Sequence, residues 1–493
     1  MRETIRKSDW MAAGQCRLMA WHGLRRPLGK LTEADRFRME QGQEVGALAR
    51  TLYPDGTLVS KGEETTATED TQRFIADRSV HTLFEAAFRA GPFVARADIL
   101  RRLKSGWHLL EVKANFSTTS KLGSLVTDLS YTVMVLRRAG LQVRKASLVL
   151  LSKHYRLGDP PESLFEIIDV TEKADASAAK FEGIADRIAR TLFRNIRPTP
   201  KLAPACRSCP LFETECLGAG LAHTVLEIPA LHSTHLKRLS DAGIVDLAGA
   251  RRKLSLNEQQ ERARSSALTG RRVVDAGLAA ALESIQWPCH YLDFETVATF
   301  LPVYKGRGCH EQILTQFSIH HRDRLDSTPR HSEYLADATR DCGRELAEAL
   351  IEKLGSSGSI VVYSSFEAER IKALQDRFPD LKRRLQAILD RIRDLLPVVK
   401  NHIYHPQFKG SFSIKKVLPA LVPGLSYAGL DVADGDTAIT RFARMARSEI
   451  TAEAVELTRR QLLEYCKMDT LAMVRLHETL CSLATGRWQV GIG

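Results

Sequence analysis

An aspartate, a glutamate and a lysine in the first third of the chain have the types and spacing of a metal-dependent hydrolytic site. Asp98 lies in ARADIL, and Glu111 and Lys113 lie in LLEVKA, which reads as the following strand. Residues two apart point to the same side of a strand, so Glu111 and Lys113 share a face. Carboxylates bind Mg²⁺ or Mn²⁺, and an ammonium can stabilise charge that develops on a phosphate. A surface hairpin with ordinary charges is the alternative.

A second acidic group is spread over the C-terminal part of the chain. The strand-like segment YLDFET places Asp293 and Glu295 on one face. In LLEYCKMDTLAM, Tyr465 and Asp469 are one helical turn apart and share a face of a helix. Glu367 lies between these segments, at a strand-to-helix turn in VVYSSFEAERI.

Three cysteines in CRSCPLFETEC have the spacing of soft-metal ligands. Cys206, Cys209 and Cys216 read C-x2-C-x6-C, and three thiolates form most of such a site. A fourth ligand is needed, and Cys16 lies far upstream, so that joint ligation would close a loop of about 190 residues. Zinc is a candidate metal, and ordinary core cysteines are the alternative. The remaining cysteines show no ligand spacing and are expected to be structural.

The elements that must position these groups form two α/β regions. Strands are predicted within residues 81–116, then a helix at 122–140, a strand at Ala146–Leu151 and a helix at 174–195. A second region starts near Pro288, where the strands HYLDFET, LTQFSIHH and SIVVYSS alternate with helices. The helices predicted there are Arg340–Leu354, Glu367–Arg377, Leu381–Asp394 and Ala452–Leu480. The pattern predicts two α/β domains, residues 1–222 and 288–493, each with a mixed sheet flanked by helices.

Residues 223–287 are predicted to form a basic helical linker between the two domains. Within it, LKRLSDAGIVDLAGARRKL is similar to half of a helix-hairpin-helix DNA-binding element. An amphipathic segment with a solvated basic face is the alternative.

Length and charge favour a multidomain protein that binds nucleic acid. The chain has 493 residues, enough for two or three domains. Lys and Arg total 71 against 59 Asp and Glu, and the net charge of +12 attracts phosphate backbones. The sequence has neither an apolar run of about 18 residues nor a signal-peptide core, so no membrane is expected and the cytoplasm is the expected location. In that reducing compartment, nine cysteines indicate metal ligation or core thiols.

The first acidic group resembles that of the PD-(D/E)xK nucleases of the RecB type, including CRISPR-associated RecB-like exonucleases. This resemblance implies a restriction-endonuclease-like mixed sheet, with Asp98 and Glu111 as metal ligands and Lys113 as a catalytic residue. Glu85, in LFEAAF, matches an upstream acid and is a further implied ligand. The sequence departs from the family at Ala97, where a proline is usual. It departs again in DLSYTVMVLRRAGL, which stands where these nucleases carry a QxxxY-like signature.

The cysteines resemble the 4Fe-4S staple of the same nucleases. One distant cysteine followed by a C-terminal trio is the family's arrangement. The implied ligands are Cys16, Cys206, Cys209 and Cys216. The implied role of the cluster is to tie the first helix to the end of the domain.

The second acidic group resembles that of the DEDD exonucleases of the RNase H-like fold. In that family a DxE pair, a middle acid and a final aspartate bind two metal ions, and a tyrosine orients the attacking water. The resemblance assigns the DxE pair to Asp293 and Glu295 and the final acid to Asp469, and Tyr465 marks the DEDDy branch. Glu367 is the implied middle acid. An aspartate is usual there, so the carboxylate lies about one bond further from the backbone.

The order of the two regions is similar to a bacterial family of unknown function that joins a RecB-like nuclease to a YprB-like exonuclease domain. The two resemblances cover most of residues 8–220 and 288–482. They imply metal-dependent hydrolysis of phosphodiester bonds, with DNA as the expected substrate, in repair or defence. A helicase or a defence-system protein is an expected further partner. The alternatives are a catalytically weak or inactive nucleic-acid-binding scaffold subunit and an RNA-directed exonuclease.

Overall fold

The chain forms two compact units in this computed structural model, which describes residues 2–60, 62–250, 255–425, 427, 429–432 and 434–486. As far as it is described, the first unit comprises Met1–Lys201, Cys209–Leu217 and Thr299–Glu311. Over its own described residues, the second unit comprises Leu202–Ser208, Gly218–Ala298 and the chain from Gln312 onward. The expectation of an α/β chain with mixed sheets is confirmed.

The first unit is built on one mixed sheet. Its strands are β1 (Thr57–Leu58), β2 (Thr82–Ala90), β3 (Phe93–Arg102), β4 (Trp107–Phe116), β5 (Val143–Leu151) and β6 (Phe165–Asp169). They lie in sequence order; β1–β2 and β4–β5 are parallel and the other pairs antiparallel. The helices are α1 (Lys7–Gln15), α2 (Arg17–Gly23), α3 (Glu33–Ala49), α4 (Glu64–Ala76), α5 (Leu122–Arg138), α6 (Thr171–Phe193) and α7 (Phe212–Glu215).

The core of the first unit packs α1, α5 and α6 against the sheet. The Trp10 ring lies 5.9 Å from that of Phe93 and 5.7 Å from that of Tyr131, measured between ring centroids. The Tyr131 hydroxyl donates a hydrogen bond of 2.6 Å to the carbonyl of Ile5. Tyr131, which lies in the helix that departs from the QxxxY-like signature, therefore anchors the N-terminal segment to the core.

The second unit is built on a five-stranded mixed sheet and a two-stranded one. Its strands are β7 (Val273–Val274), β8 (Cys289–Val297), β9 (Ile313–Arg322), β10 (Arg330–Leu335), β11 (Ser359–Val362), β12 (Ile392–Asp394) and β13 (Ile403–Tyr404). The large sheet has the order β10-β9-β8-β11-β12, with β8–β11 and β11–β12 parallel and the other pairs antiparallel. The helices are α8 (Ser233–Asp241), α9 (Glu258–Thr269), α10 (Leu278–Leu282), α11 (Gly343–Leu354), α12 (Phe366–Arg377), α13 (Lys382–Leu389), α14 (Leu395–His402), α15 (Ile414–Leu421), α16 (Gly435–Ala446) and α17 (Ala452–Ala484).

The segment predicted as a linker, 223–287, packs into the second unit where it is described. Val274 of β7 pairs with Ile403 of β13. Leu278 and Leu282 of α10 are buried in the same apolar core as Val399. The segment is also less helical than predicted. Its apolar side chains pack against residues that are distant in sequence, and the periodicity of a local segment does not indicate such contacts.

The predicted helix Leu381–Asp394 is a helix followed by a strand. Helix α13 ends at Leu389, and β12 pairs in parallel with β11, so that Val362 lies opposite Asp394. The backbone bonds to β11 favour the strand over a longer helix. This difference places the Asp394 carboxyl at the end of a sheet strand.

The described helices include none that could span a bilayer, since none has a sufficiently long apolar stretch.

Candidate metal centres

The pairing of β3 with β4 stops next to Asp98. Ile99 pairs with Leu110, but Asp98 and Glu111, the next residues in register, are not ladder partners. The Asp98 carboxylate instead accepts a hydrogen bond of 2.7 Å from the backbone N–H of Val112. The two acids that the sequence pattern pairs therefore adjoin each other in the first unit.

Glu85 lies opposite Asp98 on β2, where the ladder skips both acids. Its φ is +56°, a left-handed conformation that is strained for a residue with a Cβ. Such strain is concentrated at functional sites. Glu85, Asp98, Glu111 and Lys113 line a cleft of about 830 Å³.

The Glu111 carboxylate is buried, with 2% of its side chain exposed. Its Oε1 receives Lys7 Nζ at 2.5 Å and Lys113 Nζ at 3.0 Å. Its Oε2 is buried and has no hydrogen-bond partner among the described residues. Buried carboxylate oxygens normally have a partner, and a divalent cation that prefers oxygen ligands would suit this one.

Lys7 and Asp128 complete the charge network of this site. Asp128 Oδ2 lies 2.5 Å from Lys113 Nζ and 3.4 Å from Lys7 Nζ. Asp128 lies on α5, in the segment that departs from the family signature. Lys7 lies on α1 and is 104 residues from Glu111, so no local pattern could have indicated it.

The two acids of the first site have opposite pKa shifts. Burial raises the pKa of Asp98 to about 7, and the Glu111 carboxylate adds to the rise. Burial also acts to raise the pKa of Glu111, but the ammoniums of Lys7 and Lys113 outweigh it and lower that pKa to about 2. The two lysines therefore favour the ionised form of Glu111, whereas burial favours the protonated form of Asp98.

The second unit holds a tighter acidic group, formed by Asp293 and Glu295 on β8 and Asp469 on α17. One carboxylate oxygen of each lies within 4.8 Å of the others, and among the described residues no other set of three or more His, Cys, Asp or Glu side chains does so. Oxygens on opposite sides of a Mg²⁺ ion lie about 4 Å apart, since each Mg–O distance is about 2.1 Å. The spacing therefore fits ligands of one divalent ion. Glu85, Asp98 and Glu111 do not form such a set.

Glu367 adjoins this group from the start of α12. Its carboxyl is within hydrogen-bond reach of Asp293, and its Oε2 accepts a bond of 3.2 Å from Ser364 Oγ. The side chain is buried but lies outside the 4.8 Å set. The implied middle acid is thus beside the proposed ligands, with Asp394 contributing charge next to it.

Two tyrosines and a lysine border the acids. Tyr465 hydrogen-bonds to Asp469 one turn later on α17. Lys415 Nζ donates a bond of 3.1 Å to Tyr465 Oη, and Tyr427 Oη donates one of 2.6 Å to Asp469 Oδ1. Sequence reasoning missed the roles of Lys415 and Tyr427. The sequence marks Lys415 only as the first of two adjacent lysines in SFSIKKVLP, a pattern that does not indicate a site.

Burial gives all four acids of the second unit raised pKa values. The pKa values of Asp293 and Glu295 lie well above their usual range, with neighbouring carboxylates as the next cause. Burial raises the pKa of Asp469 to about 6 and that of Glu367 to about 7. Simultaneous ionisation of four neighbouring acids is unfavourable, and a bound cation would offset that repulsion.

These pKa shifts predict pH-dependent metal binding in the second unit. A cation must displace protons from acids whose pKa values are raised, so the affinity for Mn²⁺ should fall as the pH decreases from 8 to 5. Calorimetric titration of an Asp98→Asn protein would measure it, because that change removes a carboxylate of the first acidic group. A constant affinity over this pH range would contradict the prediction.

The three closely spaced cysteines are divided between the two units. Cys16, Cys209 and Cys216 belong to the first unit, and Cys206 belongs to the segment Leu202–Ser208 of the second. Burial raises the pKa of the Cys216 thiol, and nearby Cys16 and Cys209 raise it further. The distant cysteine, Cys16, therefore lies near Cys216 of the trio.

Cys466 was expected to be structural, yet it contacts the second acidic group. Its Sγ lies 3.5 Å from Asp293 Oδ2. The thiol is buried on the helix that also carries Asp469. It therefore helps to hold the Asp293 carboxylate in place.

Similarity to known proteins covers parts of the chain. A family model described as "Domain of unknown function (DUF2779)" matches residues 290–413, a segment that includes Asp293, Glu295 and Glu367. Over 205 residues the chain is 27% identical to "Uncharacterized protein UU173" of Ureaplasma parvum. That match covers 37% of this chain and only 30% of the length of the relative.

Proposed function

We propose that this protein is a metal-dependent nuclease that hydrolyses phosphodiester bonds of nucleic acid, with DNA as the favoured substrate. The observation that carries the proposal is the convergence of the half-buried Asp293 and Glu295 with the buried Asp469, whose carboxylate oxygens lie within 4.8 Å of one another. Ionising three carboxylates this close together is energetically unfavourable unless a cation is bound between them. This cost supports a metal-binding role for the three acids. The net charge of +12 suits a phosphate polymer.

In the second unit, Asp293, Glu295 and Asp469 would hold Mg²⁺ or Mn²⁺, with Glu367 beside them. Such an ion supplies an activated water and stabilises negative charge on the scissile phosphate. The Tyr465 hydroxyl, which hydrogen-bonds to Asp469, would orient that water. This arrangement is consistent with an RNase H-like, DEDDy-type exonuclease domain.

Lys415 is a further residue that we assign to phosphate binding in the second unit. Its Nζ lies 3.1 Å from Tyr465 Oη and 5.2 Å from the centre of that ring. Its positive charge also opposes the rise that burial causes in the pKa of Asp469, so Lys415 acts electrostatically on the acidic group. An ammonium at this place can stabilise charge on a phosphate as bonds change.

Substitution of Lys415 and Tyr465 should separate charge stabilisation from metal binding. We expect Lys415→Met to lower kcat by about 10- to 100-fold and Tyr465→Phe by a smaller factor, because neither removes a ligand oxygen. Mn²⁺ affinity, measured by calorimetry, should remain within a few-fold of the wild-type value. Loss of Mn²⁺ binding in Tyr465→Phe would show that the hydroxyl belongs to the ligand set.

In the first unit, Asp98 and Glu111 would hold a second metal site, with Glu85 on the neighbouring strand and Lys113 stabilising charge. Glu111 Oε2 is the buried oxygen that lacks a partner among the described residues, and it supports this assignment. The arrangement is consistent with a PD-(D/E)xK nuclease domain of the RecB type. Repair or defence is the setting in which such paired nucleases would act, with a helicase or defence protein as partner.

A second candidate function, nucleic-acid binding without cleavage, is favoured for the first unit by one observation. Lys7 and Lys113 both engage Glu111 Oε1, so the carboxylate already has two cationic partners. A salt-bridged acid competes less well for a metal ion. The unit would then contribute affinity while the second unit cuts.

The decisive experiment incubates purified protein with labelled single- and double-stranded DNA and RNA in Mg²⁺ or Mn²⁺. Three variants accompany the wild type: Asp98→Asn, Asp293→Asn and the double variant. Cleavage that survives in Asp98→Asn and disappears in Asp293→Asn would assign the activity to the second unit alone. A double variant as active as the wild type would overturn the proposal, and a preference for RNA would identify an RNA-directed exonuclease.

The proposal includes a structural 4Fe-4S cluster held by Cys16, Cys206, Cys209 and Cys216. Anaerobically purified protein should be brown and contain about four irons per chain. Replacing Cys16 with serine should remove the iron as completely as replacing Cys209, and should destabilise the first unit. Iron analysis with thermal unfolding tests this; Cys342→Ser, at a cysteine outside the proposed ligand set, is the control. A colourless protein that contains zinc would contradict the assignment.

A further inference from the structure

A second cavity of the first unit is lined by three cationic side chains and one acid. Its volume is about 450 Å³, and its charged residues are Arg6, Lys7, Arg96 and Glu64. Gly62 and apolar residues of β2 and β3 form the remaining wall. This cavity is named the Arg6 pocket below.

The two arginines of the Arg6 pocket have no carboxylate partner among the described residues. The Arg96 guanidinium is half-buried, and its one hydrogen bond there is a long one, 3.5 Å, to the carbonyl of Glu85. Arg6 is exposed and forms no ion pair within the described chain. Glu64, the one acid in the lining, has Arg89 within 3.8 Å. The pocket therefore offers two guanidinium groups to an external anion.

The Arg6 pocket adjoins the acids of the first unit. Arg96 precedes Asp98 by two residues on β3, so the two share a face about 6.6 Å apart along the strand. Lys7 lines the pocket while its Nζ lies 2.5 Å from Glu111 Oε1. Lys7 and Arg96 therefore connect the pocket to the acids.

We propose that the Arg6 pocket binds the terminal phosphate monoester of a nucleic-acid strand. The inference rests on the proposed nuclease function and adds to it a subsite that recognises the strand end. A phosphate monoester carries nearly two negative charges at neutral pH and three terminal oxygens, whereas an internal diester carries one charge. Forked guanidinium groups bind such oxygens in pairs. The subsite sets where the strand stops relative to Asp98 and Glu111.

Binding measured without divalent metal tests the subsite separately from cleavage. Fluorescence anisotropy in EDTA would compare one oligonucleotide with a 5′-phosphate, with a 3′-phosphate and with hydroxyls at both ends. The wild type should bind one of the phosphorylated forms at least about tenfold more tightly than the hydroxyl form. The Arg6→Gln/Arg96→Gln variant should bind all three alike.

The matched control is Arg187→Gln/Arg190→Gln, which removes the same charge from exposed positions on α6 outside the pocket. It should weaken all three oligonucleotides equally and keep the preference for the phosphorylated end. Arg6→Gln alone, at an exposed position, serves if the double variant unfolds, and should reduce the preference at least about threefold.

Three outcomes would overturn the subsite. They are equal binding of all three oligonucleotides by the wild type, a preference that persists in Arg6→Gln/Arg96→Gln, and competition by inorganic phosphate as strong as by the phosphorylated strand. The last would identify a free-anion site. Failure of the nuclease proposal is distinguishable, because absent cleavage in Mg²⁺ or Mn²⁺ would leave an end-phosphate preference in EDTA unchanged.

Discussion

Asp293→Asn should abolish cleavage by the second unit and make the metal-free protein more stable. The change removes one of three converging carboxylates, so activity in an Asp98→Asn background should fall by at least about 100-fold if they hold the proposed ion. Because the pKa of Asp293 is raised by burial and by its acidic neighbours, its ionisation destabilises the fold progressively as the pH rises from its unfolded value near 3.9. At pH 8 a neutral asparagine avoids this cost.

Thermal unfolding at pH 8 measures the stability effect. The metal-free variant should unfold at least about 2 °C above the wild type, and Mn²⁺ should raise the Tm of the wild type much more than that of the variant. Asp326→Asn, at an exposed aspartate of the same unit, is the control and should change neither quantity. A variant that remains active, or that Mn²⁺ stabilises as much as the wild type, would contradict the assigned site.

Glu111→Gln should have the largest stability effect in the first unit, in the opposite direction. The change leaves the Lys7 and Lys113 ammoniums without the carboxylate that both contact. Removing one partner of a buried ion pair costs about 3–5 kcal/mol, and the low end applies because both lysines are partly exposed. Since the pKa of Glu111 is lowered to about 2, this stability is present above the unfolded pKa near 4.3 and is lost as the pH falls toward 2.

Hydrogen exchange of β4 and α1 amides, read at pH 7 and pH 3, would locate this loss in the first unit. The difference between wild type and Glu111→Gln should be large at pH 7 and smaller at pH 3. Glu162→Gln, at an exposed glutamate of the same unit, is the matched control and should exchange like the wild type. Equal protection of Glu111→Gln and wild type at pH 7 would show that the two ion pairs do not stabilise the unit.

Local sequence patterns correctly predicted the elements that carry the acids. Alternation along YLDFET placed Asp293 and Glu295 on one face of β8, and helical spacing placed Tyr465 beside Asp469 on α17. These relations depend on strand and helix geometry, which residues close in sequence determine. The sequence also paired Asp98 with Glu111, because one short hairpin connects their strands.

What the sequence by itself determined is therefore the identity of the acids and the strands and helices that present them. The tertiary structure alone decided their partners: Lys7 reaches Glu111 across 104 residues, and Lys415 reaches Tyr465 across 50. It alone decided that the described part of 223–287 packs into the second unit, where β7 pairs with β13. The reason is that charge pairing and sheet pairing depend on distance in space, and periodicity along a chain reports only neighbours within a few residues.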